Sequence, residues 1–193
     1  MNSGTMNLLD MLSERVLVLS NEGNWDEAYK AADAAVEQAR RSLDTGDESS
    51  VICLTSSLEI KGDLLRQMGH LEDSRVCYLE SLELMSEREG HIEMLARLNG
   101  SVGVLYDLVE NDEEAIQFYE RAVTLYERLE GADQLEIADI CNNLGFIYRS
   151  VGNMDQAESL FLKALEICHR EVGDKHEKTA VVFNNLGALY LKS

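Results

Sequence analysis

The feature that most constrains this chain is an internal repeat of about 42 residues. The segment NNLGFIY at residues 142–148 recurs as NNLGALY at residues 184–190, which is 42 positions later. Its central glycine, Gly145, is preceded by Gly103 at an offset of 42 and by Gly62 at a further offset of 41. A unit of this length cannot bury its apolar face alone, so a chain built this way stacks successive copies.

The second half of each unit also repeats, with small residues on either side of a larger one. Gly152 and Asn153 introduce Ala157, Phe161 and Ala164, spaced by four and three positions as on one helix face. The corresponding residues upstream are Ala115, Tyr119 and Ala122, then Ser74, Tyr78 and Ser81, and finally Ala28, Ala32 and Ala35. A turn at the glycine joins two helices whose small residues allow close approach, so the unit is a helical hairpin.

The remaining pattern predicts an all-α protein. The sequence contains no proline, its long segments follow the helical period, and it lacks strand-like alternation. Glycines and helix-start signals place about nine helices, roughly at 6–21, 25–44, 50–68, 72–88, 92–109, 112–130, 134–151, 154–171 and 177–192.

The repeat resembles the tetratricopeptide consensus at Leu144, Gly145, Tyr148 and Gly152, and at the small and aromatic positions that follow. Its 42-residue period and its Asn-Asn-Leu opening resemble the long repeats of kinesin light chains. The linker before residue 177 is also similar, although Glu177 stands where that family usually has proline. The resemblance implies a right-handed superhelical solenoid of antiparallel helix pairs, with first helices on the concave face and second helices on the convex face.

This resemblance covers nearly the whole chain, which is expected to form a single domain of residues 1–193. We place the repeats at about 9–44, 55–95, 96–137 and 138–179, followed by a half repeat at 180–193. The first repeat departs most, with Val16 in the glycine slot and Leu19 in the tyrosine slot. The last helix keeps the inward pattern of a first helix, so we expect a fragment of a longer protein that self-associates through this C-terminal helix.

The net charge and the cysteine pattern limit which class of partner and which cellular compartment we expect. The chain has 36 acidic and 17 basic residues, a formal charge of −19, which disfavours nucleic acid and anionic membranes. No apolar run reaches the roughly 18–20 residues that span a bilayer, and the N-terminus lacks the pattern of a secretory signal. Four widely spaced cysteines suit a reducing compartment. We expect a cytoplasmic protein whose partner is another protein or a peptide.

The sequence predicts no catalytic site, no metal site and no cofactor. Cys168 and His169 are adjacent, and neighbouring helical side chains point about 100° apart, so they cannot bind one ion together. No carboxylate pair stands in a distinctly apolar context, and no phosphate-binding loop follows a strand. Trp25 occupies the slot of Leu71 and Met154 in other repeats, which favours a packing role.

The resemblance implies that an extended peptide binds the concave groove. The side chains placed there by the repeat register are Arg66, Arg97, Asn142, Asn143, Phe146, Arg149, Asn184 and Asn185. An asparagine amide suits this task because it both donates to and accepts from a peptide backbone. Equally, the asparagines could belong to the capping or solvated chemistry of the repeat itself.

The predicted function is therefore a non-catalytic scaffold that binds a peptide or short helix of another protein. Two alternatives stay open at this point. The chain could act mainly as a self-assembly module through packing of the solenoid, or as the sensor half of a signalling protein. The sequence does not identify the partner.

Overall fold

The computed structural model describes residues 3–43, 47–86, 88 and 90–191, with side chains from Asp10 onward. These residues form nine α-helices and no strand, which confirms the predicted all-α repeat fold. The helices are α1 (Ser3–Asn21), α2 (Trp25–Ser42), α3 (Glu48–Gln67), α4 (Leu71–Met85), α5 (Ile92–Leu108), α6 (Asp112–Tyr126), α7 (Gln134–Ser150), α8 (Met154–Glu171) and α9 (Glu177–Tyr190).

Two second helices end earlier than the sequence predicts. The helices expected at 72–88 and 112–130 end at Met85 and Tyr126. After α6, the backbone N–H groups of Arg128 and Leu129 donate to carbonyls three residues earlier, so tighter turns replace the helical bonds. The predicted ends of α2 at 44 and of α9 at 192 lie outside the described residues.

The chain divides into two compact units, which we call unit one (Met1–Glu89) and unit two (Gly90–Ser193). Unit one contains the pairs α1–α2 and α3–α4, and unit two contains α5–α6 and α7–α8 followed by α9. In each pair the two helices pack closely against each other, and α9 packs on α8 and α7. The expected grouping of residues 1–193 into one domain stays a prediction.

The helices within each unit are stacked unevenly. The backbones of successive first helices contact each other: α1 contacts α3 in unit one, and α7 contacts both α5 and α9 in unit two. In the described part of the chain, the backbones of α2 and α4, and those of α6 and α8, lie further apart. Long side chains bridge the wider gap, as Arg40 Nη2 does to Glu80 Oε2 at 2.7 Å. The surface of the first helices therefore forms the inner side of the curve in each unit.

In the later pairs, the two helices approach each other closely where a glycine of the first helix faces a ring of the second. A Cβ atom at Gly103 would lie 2.7 Å from Cδ1 of Tyr119, and one at Gly145 would lie 2.9 Å from Cε1 of Phe161. Both rings are fully buried and have no room to move. The glycines are therefore required by the spacing of the two helices, despite their low helix propensity.

In the first pair the sizes of the two facing side chains are exchanged: the larger one is on the first helix and the smaller one on the second. Val16 is 2% exposed and Ala32 is 1% exposed, and both belong to one buried cluster. Val16 stands where later repeats have glycine, and Ala32 stands where they have an aromatic ring. A larger side chain on the first helix is thus matched by a smaller one on the second, which keeps the volume between them similar.

In the second pair, the helix α4 has serines at the positions where the second helices of the other pairs have alanine. Ser74 Oγ donates to the carbonyl of Gly62 at 2.8 Å, and Ser81 Oγ donates to the carbonyl of Thr55 at 3.3 Å. Both hydroxyls are buried, so these bonds avoid the cost of an unsatisfied polar group. The small-residue slots therefore tolerate a hydroxyl where a carbonyl of the neighbouring helix accepts it.

The glycine slots give a matched pair of stability predictions. Gly103→Ala introduces a clash with Tyr119 that outweighs the gain in helix propensity, so we expect a net loss of about 1–2 kcal/mol. In the described structure, a Cβ atom at Gly187 on α9 would point into open space, so Gly187→Ala should raise stability by up to about 1 kcal/mol. Denaturant unfolding of both variants measures the difference. A Gly103→Ala protein as stable as the wild type would contradict this account of the helix contact.

Candidate protein-binding surface

The predicted groove residues lie on first helices, and all of them except Arg66 lie in unit two. We call the set in unit two the amide surface. It consists of Arg97 on α5, then Asn142, Asn143, Phe146 and Arg149 on α7, and Asn184 and Asn185 on α9. Since α5, α7 and α9 approach each other in order on the inner side of unit two, these side chains belong to one curved face.

The asparagines of the amide surface form a chain of hydrogen bonds across three helices. Asn185 Nδ2 donates to Asn142 Oδ1 at 2.8 Å, which joins α9 to α7. Asn142 Nδ2 is 3.5 Å from Asn143 Oδ1, and Asn143 Nδ2 is 3.5 Å from the hydroxyl of Tyr119 on α6. These amides therefore help to hold the helices together. Each still has donor or acceptor capacity left, because an amide can make up to four hydrogen bonds.

Phe146 and Arg149 form an aromatic–cation pair on α7. The guanidinium carbon of Arg149 lies 4.9 Å from the centre of the Phe146 ring, a cation–π arrangement. Phe146 is 44% exposed, although it points from the inner side of the curve. An exposed aromatic ring beside a positioned cation is a typical anchor for a partner protein.

Asn184 occupies on α9 the position that Asn142 occupies on α7, but its environment differs. Asn142 lies at the crossing with α9, where its oxygen accepts from Asn185. Asn184 is exposed, so its amide is open to solvent and to a ligand. Arg97 is half-buried on α5. The repeat register thus places equivalent residues correctly, while the neighbouring helix decides which of them are available.

Arg66 lies apart from this set, on α3 of unit one. Its Nη2 donates to Asp63 Oδ1 at 3.2 Å, and its Nε lies 3.4 Å from the hydroxyl of Tyr78. That hydroxyl donates to Asp63 Oδ1 at 2.6 Å, and burial, with the charge of Asp63, raises the pKa of Tyr78 well above its usual range. The positive charge of Arg66 is balanced by Asp63 within its own unit.

Tyr119 contacts the amide surface in a way that the sequence analysis missed. The repeat identified it as a packing residue, equivalent to Phe161 in the next pair. Its ring does fill the glycine contact, but its hydroxyl also reaches the amide of Asn143. The sequence did contain a signal for this contact: Tyr119 stands where the next repeat has Phe161, and of the two only tyrosine can make the hydrogen bond.

Cys168 and His169 lie in different surroundings, although they are adjacent in the chain. Cys168 is buried, and burial raises its pKa, which disfavours a reactive thiolate. His169 is exposed, and its Nδ1 lies 2.5 Å from Asp174 Oδ1. Among residues that the structure describes, no group of three or more His, Cys, Asp or Glu side chains is placed to hold a metal ion. None of the described helices is long and apolar enough to cross a membrane.

Comparisons with solved structures show the same architecture. BtubC (BKLC) from P. vanneervenii is 28% identical with a TM-score of 0.72, and the match covers 87% of this chain and 66% of that one. This chain thus spans just under two thirds of that protein's length.

Two crystal structures of a putative kinesin light chain from Podosopora anserina, with nearly identical TPR-like repeats, are also similar. One of the two carries a point substitution. Each is 13% identical to this chain, with TM-scores of 0.78 and 0.77, and each match covers 99% of this chain and 88% of theirs. At this identity they show the fold alone.

The helix pairs, the glycine contacts and the curved inner face define a helical-repeat protein. The tetratricopeptide repeat family model matches residues 53–128 and 136–193, which is more than half of the chain. This chain belongs to the tetratricopeptide repeat family, and its repeats indicate a scaffold for protein interactions. None of the curated proteins compared with the chain gives a significant match.

The amide chain gives a second matched prediction. Asn185→Ala removes the bond to Asn142, whereas Asn184→Ala changes an exposed neighbour on the same helix. Both changes raise helix propensity equally, so their difference isolates the bond. We expect Asn185→Ala to weaken the docking of α9 by about 1 kcal/mol relative to Asn184→Ala, which is about fivefold in the exchange rates of α9 amide hydrogens. Equal exchange in the two variants would show that the bond does not hold α9.

Proposed function

We propose that this protein is a non-catalytic scaffold that binds a peptide or short helix of another protein on the amide surface of unit two. The observation that carries the proposal is the juxtaposition of backbone-binding amides with the exposed Phe146–Arg149 pair on one inner face. An extended peptide needs partners for its own N–H and C=O groups, and amide side chains supply both. A surface with amides and an aromatic anchor therefore matches the two requirements of peptide recognition.

The two kinds of group have different roles in this proposal. Asn143 and Asn184 bind the peptide backbone, which positions it without reading its sequence. Phe146 offers apolar surface to one side chain of the ligand, and Arg149 offers a planar donor for a carboxylate or carbonyl beside it. Aromatic and arginine residues carry a large share of binding energy at interfaces, so this pair is the expected energetic centre.

The cysteines support a non-catalytic role and a cytoplasmic location. All four are free thiols, and Cys77, Cys141 and Cys168 are buried. Burial raises the pKa of Cys141 to about 11, and it also raises the pKa of Cys77 and Cys168. Thiols of this kind stay protonated near neutral pH and are poor nucleophiles. Free buried thiols are also typical of proteins in a reducing compartment.

A crosslinking experiment tests the amide surface directly. A photoreactive benzoylphenylalanine at position 146 should capture a partner in native cells, whereas the same group at Leu162, an exposed residue of α8, should not. With the captured partner purified, the double variant Phe146→Ala and Arg149→Ala should lower its affinity at least about tenfold, with helicity unchanged. Undiminished binding by the double variant, or capture from position 162 alone, would place the site elsewhere.

A specific observation also favours self-association through α9 as a second function. Val182, Leu186 and Leu189 are buried against the preceding pair. On another face, Phe183 and Tyr190 are 50% and 53% exposed, with Gly187 between them at helical spacing. The equivalent glycine in α7, Gly145, is covered by the ring of Phe161. We propose that a second copy of this chain covers the exposed face of α9.

The association energy expected from an exposed apolar face makes the proposal testable. Burial contributes about 25 cal/mol per Å², so a patch of a few hundred Å² amounts to several kcal/mol. We expect the sedimentation coefficient to rise with concentration for the wild type, and Phe183→Glu to keep the protein monomeric. Val76→Glu, a change at an exposed valine of α4, is the matched control and should associate like the wild type. A wild type that stays monomeric at high concentration would exclude this association.

A further inference from the structure

Unit one contains a pocket that neither proposed function uses. It opens between the two second helices α2 and α4, with its floor on the end of α3, and its volume is about 430 Å³. Its walls are formed by Asp26, Tyr29, Lys30, Leu65, Met68, His70 and Asp73. The pocket therefore lies on the side of the second helices, whereas the amide surface is formed by first helices.

A substitution in the repeat explains the apolar floor. Leu65 stands in the slot that holds Tyr106, Tyr148 and Tyr190 in the three later repeats. In unit two, the Tyr148 side chain extends towards the preceding second helix, and its hydroxyl donates to Glu120 of α6. Leucine is too short to extend in that way and has no hydroxyl. The pocket in unit one is thus floored by Leu65 and Met68, with no tyrosine ring from α3 across it.

The walls of the pocket combine apolar surface with negative charge. Tyr29 is 38% exposed and lies beside the floor, and Asp26 and Asp73 are exposed at the rim. Within the described residues, neither of these aspartates takes part in an ion pair. Lys30 also lies at the rim, where its Nζ is 2.8 Å from Glu27 and its charge acts more weakly on Asp26. The pocket as a whole is therefore apolar at the bottom and acidic at the edge.

A second cation lies near the pocket but is already paired. Lys61 Nζ lies 5.3 Å from the centre of the Tyr29 ring and 2.6 Å from Asp33 Oδ1. Lys61 stabilises one face of the ring, and its charge is balanced by Asp33.

The comparable hollow in unit two differs in character. It measures about 440 Å³ between α6 and α8, and the carboxylate among its lining residues, Glu120, accepts from Tyr148. In unit one, by contrast, the rim carboxylates of Asp26 and Asp73 form no ion pair within 4.0 Å among the described residues, although the charge of Lys30 also acts on Asp26. The acidic rim thus distinguishes the pocket of unit one.

An arginine side chain fits this combination of surfaces. If the side chain lies along the open pocket, its aliphatic stem lies on Leu65 and Met68 and its guanidinium reaches a carboxylate at the rim. A guanidinium is planar, weakly hydrated and stacks on aromatic rings, so it suits a pocket with a tyrosine wall better than a lysine ammonium does. The formal charge of −19 attracts basic segments to the protein as a whole.

We propose that the pocket between α2 and α4 binds an arginine side chain of a partner protein. The site is independent of the amide surface, since it involves different helices in the other unit. The single tryptophan of the chain provides a reporter, because Trp25 is 38% exposed and adjoins Asp26 at the start of α2. A ligand at the rim should change its fluorescence and the NMR signal of its indole N–H.

The probe is an acetylated and amidated pentapeptide, Gly-Ser-Arg-Ser-Gly, titrated into the whole chain. One buried side chain supports only weak binding, so we expect a dissociation constant in the millimolar range that rises with salt. The same peptide with citrulline, which keeps the shape and loses the charge, should bind at least about tenfold more weakly. Equal binding of the two peptides, or shifts centred on Phe146 rather than Trp25, would overturn the proposal.

Four variants test the location. Leu65→Tyr introduces the tyrosine of the later repeats and should abolish binding by filling the pocket. Asp73→Asn should weaken binding about fivefold or more, whereas Asp112→Asn removes the same charge from the first turn of α6 and should leave it unchanged. If Leu65→Tyr does not fold, the test is the affinity of the arginine peptide for Asp73→Asn compared with its affinity for Asp112→Asn. Equal affinities for these two variants would overturn the proposal. Phe146→Ala with Arg149→Ala should not alter arginine binding, which separates this site from the amide surface.

Discussion

The close contact between a mid-helix glycine and an aromatic ring is the constraint on which the helix pairs depend. It determines how near the two helices lie, and the small residues four positions before and three after the ring permit that distance. The first pair, with Val16 in the glycine slot and Ala32 in the ring slot, keeps the combined side-chain volume at the contact similar. Either helix can supply the bulk, provided that the other supplies the space.

The two sides of each unit follow from this packing. The backbones of first helices lie close together, and those of second helices lie further apart, so one side is a continuous inner face and the other has hollows between helices. In unit two the inner face carries amides and an exposed aromatic–cation pair, which is why we propose peptide binding there. In unit one the hollow has an apolar floor and an acidic rim, which suits a single basic side chain. A scaffold of this kind can therefore offer two surfaces of different chemistry.

The role of the asparagines shows how local and tertiary information combine. The sequence left open whether they serve the fold or a ligand. The bond from Asn185 to Asn142 places one pair in the packing between α7 and α9, while Asn184 stays exposed. Arg66 likewise matched the groove register, yet Asp63 and Tyr78 occupy its donors. In both cases the residue type indicated which hydrogen bonds the side chain can make. The neighbouring residues determined whether its donors and acceptors are still available to a ligand.

The sequence by itself determined the nine helices of the described residues, their pairing into hairpins and the slots in which the glycine contacts occur. These features are local or strictly periodic, so each repeat reports on the others. Only the tertiary structure decided which amides are already bonded, which charges are balanced and where a pocket opens. These properties depend on side chains brought together from positions about 30–45 residues apart in the chain, such as Lys61 beside Tyr29 or Asn185 beside Asn142. A repeat pattern specifies equivalent positions, but an individual contact depends on the two particular side chains that meet there.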